Sequence, residues 1–228
     1  GLTLYPVVSN WYIGQHQSRI QTEYQEVLEQ TDSAEIESIR ESAAAYNKAI
    51  TPGAADEAYS QASIWAASED YVNQLNVSGS GIMGYVEIPK IGADLPIYHG
   101  TGADSLDRGT GHLLGSSLPV GGENTHTIIT GHSGMASQKM FTDLEQLREG
   151  DIFYLHVLDE TLAYEVRAIH TVLPHDTTYL GIEPGEDLCT LVTCTPTGVN
   201  THRLLVQGSR IPYAPVEETE ASAEPHEE

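Results

Sequence analysis

Three residues in the second half of the chain have types and spacings suited to nucleophilic chemistry. Cys194 ends the run Thr190-Leu-Val-Thr-Cys194 and is followed by Thr195-Pro196. A nucleophile at a strand end is held by the sheet yet open to substrate, and Pro196 stops the ladder just beyond it. A thiol attacks as its thiolate, so it needs a proton partner. His132 fits that need. It follows the apolar run Thr127-Ile-Ile-Thr130 and lies in Thr130-Gly-His132-Ser-Gly134, where flanking glycines allow a sharp turn. Arg203 comes nine residues after Cys194, past turn residues Pro196, Gly198 and Asn200. That spacing fits a hairpin returning Arg203 beside Cys194, where a guanidinium can steady an oxyanion. Taken singly, each has an ordinary alternative: a small buried thiol, a turn histidine, a surface arginine.

Other chemistries find less support. His126 with His132, or His170 with His175, form no HExxH or Cys–His cluster, so no metal site and no cofactor are expected. The glycines near 109–111 and 121–122 match no phosphate loop. Cys189 and Cys194 are five apart in one β-branched run. In a strand that is roughly 16 Å and opposite faces, which excludes a disulfide between them.

Composition narrows the partners. The 228 residues carry 33 Asp plus Glu against 10 Lys plus Arg, a formal net charge of −23. The acidic tail after Pro215 does not account for this excess. Such a surface argues against nucleic acid and is compatible with life outside a cell. No run reaches the ~20 apolar residues of a membrane helix. Residues 1–14, opening GLTLYPVVSNWY with Trp11 and Tyr12, read either as the outer flank of a membrane anchor or as an ordinary apolar N-terminus.

The elements that position the three residues follow from periodicity. Residues 15–80 read as helical: Ile20, Tyr24, Val27 and Leu28 keep helical spacing, as do Ile36, Ile39, Tyr46 and Ile50. Asp32 and Glu35 resemble a capping box, and Thr51-Pro-Gly53 is a break. From residue 81 the pattern becomes short strands: 85–88, 95–98, 125–130, 152–157, 162–173, 191–194 and 203–207. Residues 140–147 read as a short helix. Such a succession predicts a mainly β fold, a closed barrel or a sandwich. The tail 214–228 has no apolar pattern and is expected to be disordered.

Together the motifs resemble the sortase family, in particular its class C, pilin-polymerising branch. Thr190-Leu-Val-Thr-Cys194 matches the TLxTC signature, beside Thr130-Gly-His132 and Asn200-Thr-His-Arg203. Gly81-Ile-Met-Gly-Tyr-Val-Glu-Ile-Pro89, Leu95-Pro-Ile-Tyr98, Gly109-Thr-Gly-His-Leu113 and Arg210-Ile-Pro-Tyr213 occur in family order, covering residues 81–213. The resemblance implies an eight-stranded sortase-type β-barrel over 81–213 with N-terminal and short additional helices. It implies cleavage of an LPxTG-like sorting signal between Thr and Gly, and transfer of the acyl group to a lysine amine of a pilin subunit. Cys194 would be the nucleophile, His132 the general acid/base and Arg203 the oxyanion partner. Thr193 would line the pocket, and His112 matches a family position near it, where a packing role fits equally well. Pilin subunits are the implied partners, and the outer face of a bacterial membrane the implied location.

One departure concerns the lid. Class C enzymes usually carry an Asp-Pro-aromatic triplet before the barrel, its acid on the catalytic arginine and its aromatic over the cysteine. That triplet is absent here. Within residues 54–66, Asp56 or Glu57 is the expected acid, and Tyr59 or Trp65 the expected cover. The other readings are an anchoring enzyme using a peptidoglycan amine, a hydrolytic cysteine protease, and a non-catalytic pilin-binding β-domain. Arg203 argues against the protease, and the ordered Cys, His and Arg motifs against the binding domain.

Overall fold

The computed structural model describes residues 19–60, 68–135 and 139–214, excepting the side chains of Glu57, Ala58 and Ser60. Eight strands close into a barrel: β1 (Ile82–Ile88), β2 (Ala93–His99), β3 (Thr110–His112), β4 (Thr125–Thr130), β5 (Ile152–Val157), β6 (Glu160–Val172), β7 (Asp187–Thr195) and β8 (His202–Ile211). Their order around the barrel is β1-β2-β3-β4-β7-β8-β6-β5, with β5 pairing back to β1. The β2–β3 and β4–β7 pairs are parallel and the others antiparallel.

Strand alternation sorts the apolar residues into two groups. Leu191, Ile129, Val206 and Cys189 join the main core, whereas Val192, Ile128 and Leu205 join a second cluster with Leu113, Val172 and Leu180. The alternation puts Cys189 inside the barrel and Cys194, an odd number of residues away, on the face of the second cluster. Arg203, two residues before Leu205, shares that face.

Helices cover the barrel. Residues 19–30 form α1, followed by α2 (Ser33–Ala49), α3 (Ala54–Ser60), α4 (Glu69–Asn73) and α5 (Ala103–Leu106). Asp32 caps α2, its Oδ1 accepting the Ala34 N–H at 2.8 Å. Tyr24 of α1 is buried, its hydroxyl donating to the Met83 carbonyl (3.3 Å) and accepting the Leu158 N–H (3.2 Å). Asn47 of α2 bonds the Leu118 backbone twice, at 3.1 and 2.7 Å. Arg40 forms ion pairs with Glu37, Asp159 and Glu160, joining α2 to the β5–β6 turn. Among the described residues, no helix is long and apolar enough to cross a membrane.

Two sequence expectations are corrected. The short strand β3 was not expected, because Thr110-Gly-His112 is too short to show alternation. Residues 140–147 form turns and a single 3-10 turn (Leu144–Gln146) rather than an α-helix. Met140, Leu144 and Leu147 are buried together as expected, but Met140 takes φ 40°, which an α-helix does not allow. Residues 1–18 and the tail from 215, with their anchor-flank and disorder expectations, lie outside the described residues.

Candidate active site

Cys194 is the penultimate residue of β7, half-buried, with a free thiol. The antiparallel β7–β8 ladder pairs it with Arg203. The two are joined by an exposed loop whose Val199 and Asn200 N–H groups both bond the Pro196 carbonyl at 2.9 Å. Asn200 takes φ 61°, a left-handed conformation that asparagine tolerates well.

His132 arrives from the other side. The parallel β4–β7 register pairs Thr130 with Val192, and the Gly131 N–H donates to the Val192 carbonyl at 3.0 Å. Continued by two residues, that register brings His132 level with Cys194. The loop then turns out of the sheet, and the His132 carbonyl accepts the Phe141 N–H at 2.9 Å. Gly131 is obligatory here, since a Cβ would sit 2.6 Å from the Phe141 ring. Two hydroxyls fasten the loop to β7: Thr193 Oγ1 donates to the Gly131 carbonyl and Ser133 Oγ to the Cys194 carbonyl, both at 2.7 Å. The His132 ring is partly exposed, its Nε2 lying 3.7 Å from Asp107 Oδ1.

The third wall is α3. Tyr59 packs against the Leu113–Ile128–Val192 cluster. Burial pushes its phenol up, the charge and side-chain hydrogen bond of Arg203 oppose this, and negative charge on Cys194 adds to it. These influences put the Tyr59 phenol in the neighbourhood of both the Arg203 guanidinium and Cys194. Nη1 of Arg203 is meanwhile spent on the carbonyls of Asn200 (3.2 Å) and His202 (3.0 Å). The arrangement joins a thiol, an imidazole and a fixed guanidinium at one end of the barrel. These are the parts for attack on a carbonyl with proton transfer and oxyanion stabilisation.

Other expected site residues are placed differently. Asp56 does not face Arg203. It lines a cavity of about 810 Å³ with Asn47, Gly115, Ser116 and His126, and its Oδ1 is buried without a hydrogen-bond partner. Among the described residues, no carboxylate pairs with Arg203, and the α3 side chain that feels its charge is Tyr59. The Glu57 side chain and Trp65 lie outside the described residues. Thr193 does not line an open pocket: it is 3% exposed and its hydroxyl is committed to Gly131.

His112 has no exposed surface to offer a substrate. Its Nε2 faces the Ser117 carbonyl at 2.8 Å and so carries the proton, leaving Nδ1 to accept from the Tyr71 hydroxyl, also at 2.8 Å. Burial pushes the ring's pKa down to about 4. Ser133 was not singled out from the sequence, where a serine in a glycine turn looks like ordinary loop chemistry. Among the described residues, no cluster of three or more His, Cys, Asp or Glu is placed to hold a metal.

A family model described as the sortase domain matches residues 86–211, more than half of the chain. The chain belongs to the sortase family. It is 32% identical over 131 residues to sortase D of Bacillus subtilis (strain 168), a match covering 56% of this chain and 63% of that protein. It thus spans less than two thirds of the curated relatives it matches. The solved sortase C of Streptococcus pneumoniae is 46% identical, with TM-score 0.77, over 87% of this chain and all (100%) of that one. A lid mutant of sortase A from Corynebacterium diphtheriae is 43% identical, with TM-score 0.73, over 81% of this chain and 97% of that one.

Proposed function

We propose that this chain is a cysteine transpeptidase of the class C type, which cleaves an LPxTG-like sorting signal between Thr and Gly and joins the acyl group to a lysine amine of a pilin subunit. The observation that carries the reading is the pairing of Cys194 with Arg203 in the β7–β8 ladder, with the His132 loop fastened to the same strand end. The likeness to a sortase whose solved structure concerns pilin substrate specificity supports the choice of acceptor.

In this reading the Cys194 thiolate attacks the threonine carbonyl carbon. The carbonyl oxygen takes the electron pair and faces Arg203. Protonated His132 gives its proton to the departing glycine amine as the C–N bond breaks, leaving a thioester on Cys194. The lysine amine then attacks the thioester, His132 accepts its proton, and the Cys194 thiolate leaves. Arg203 suits its role because its Nη1 is braced on two carbonyls, which fixes the guanidinium beside Cys194. Val172 pairs with Arg203 in the β6–β8 ladder, so the exposed Leu173 that follows supplies an apolar rim for the Leu-Pro part of a signal.

In the same reading α3 is a lid, with Tyr59 as both cover and latch, and the barrel 81–213 is the catalytic unit. The enzyme acts on the outer face of a bacterial membrane. The test is mass spectrometry of the chain with an LPxTG peptide and an amine acceptor. A Cys194 thioacyl adduct and an amide product are expected. Cleavage with no adduct on Cys194 would overturn the assignment.

A further inference from the structure

The parallel β4–β7 ladder has its last main-chain rung at Gly131 N–H to Val192 carbonyl, 3.0 Å. Two residues on, the Cys194 carbonyl points to the same side of β7, as alternation requires. The next ladder donor in a parallel pair would be the Ser133 N–H. By then the loop has left the sheet, because the His132 carbonyl is turned to the Phe141 N–H at 2.9 Å. The Ser133 hydroxyl supplies the missing rung instead, donating to the Cys194 carbonyl at 2.7 Å. His132 is therefore bracketed by two rungs to β7, one from its predecessor's main chain and one from its successor's side chain. Beyond Ser133, the Gly134 N–H donates to Thr142 Oγ1 at 3.0 Å, and Gly134 takes φ 72°.

We propose that Ser133 is the positioning residue of this site: its hydroxyl extends the β4–β7 ladder by one rung and so sets the height of His132 against Cys194. The inference rests on the transpeptidase reading for its catalytic consequence, but not for the structural one. The loop has to leave the sheet so that the imidazole can stand over the strand end. A main-chain rung at Ser133 would keep it in the sheet, and no rung would leave His132 on a tether. A serine side chain satisfies both demands because it reaches the carbonyl while the backbone turns away. Losing the rung costs little binding, since Ser133 Oγ is turned to the protein. It costs rate, since small misplacements of a reacting group are amplified in turnover.

The test compares Ser133→Ala with Ser133→Thr, which keeps the hydroxyl. With an LPxTG peptide, Ser133→Ala is expected to lower kcat about 10- to 100-fold while KM changes less than about two-fold. Ser133→Thr is expected to regain most of that loss. Hydrogen exchange supplies a readout independent of turnover: the amides of residues 131–134 should exchange about ten-fold faster in Ser133→Ala and at near wild-type rates in Ser133→Thr. Unchanged exchange at these amides overturns the positioning, as does a kcat within about two-fold of wild type, or a loss that threonine does not restore. If the unaltered chain makes no Cys194 adduct, the transpeptidase reading fails, and the exchange comparison still decides whether Ser133 holds the loop.

Discussion

Cys194 and Arg203 are partners in the antiparallel β7–β8 ladder, with the Tyr59 phenol of α3 close enough to feel the charge of both. Pairing in a ladder leaves the arginine little freedom in where it starts, and its contacts with Asn200 and His202 limit where its head goes. Charge alone is therefore not enough for its task. Arg203→Lys keeps the charge and loses the planar fork, so kcat on an LPxTG peptide should fall about 10²- to 10³-fold. Wild-type turnover in this variant would mean that Arg203 does not serve the scissile carbonyl.

The two thiols should separate cleanly. Cys189 is fully buried in the barrel core and its thiol is pushed well up by burial, whereas Cys194 sits half-buried at the strand end. Cys194→Ala should abolish peptide cleavage. Cys189→Ala should keep most of it and lose only about 1–2 kcal/mol of stability. A folded but inactive Cys189→Ala protein would contradict the assignment of the nucleophile.

Tyr59 and Asp56 should differ in their effect on access to Cys194. Tyr59→Phe removes a hydroxyl beside a partly exposed guanidinium, worth about 1 kcal/mol, and should speed reaction of Cys194 with a small thiol reagent about five-fold. Tyr59→Ala, which also removes the ring, should react faster still. Asp56 holds a buried carboxylate oxygen with no partner. Asp56→Ala removes a desolvation cost of about 1–3 kcal/mol, offset by about 0.3–1 kcal/mol lost at the start of α3. It should leave stability equal or higher and should not raise the labelling rate. Faster labelling in Asp56→Ala would show that this acid holds the lid closed.

Acid should weaken the fold through His112. Its pKa falls from 6.5 to about 4 on burial, so the folded protein resists a proton that the unfolded chain accepts. Stability from this group is fully present above pH 6.5 and is lost as pH falls from 6.5 toward 4, by roughly 3 kcal/mol in all. His126, also pushed down by burial, adds in the same direction. His112→Gln has no proton to gain, so its melting temperature should depend less steeply on pH over this window. Equal slopes in calorimetry would remove His112 from the acid response.

The sequence alone determined the class of fold and singled out the three residues, Cys194, His132 and Arg203, that the barrel brings to one end. Alternation in the strands makes the opposite faces of Cys189 and Cys194 legible, and the β7–β8 turn residues announce a hairpin that returns Arg203 to Cys194. These are local signals, readable because period and turn chemistry act within a few residues. Tertiary structure decided what depends on distant partners. His112 and Thr193 became buried fasteners because Tyr71, Ser117 and Gly131, far away in sequence, claim their polar atoms. Tyr59 rather than Asp56 reached Arg203 because the docking of α3 chooses which side chain faces the site. Ser133 became visible only when β4 and β7 lay side by side. A parallel pair joins segments separated by more than fifty residues, so no short-range pattern reveals that a loop serine completes its ladder.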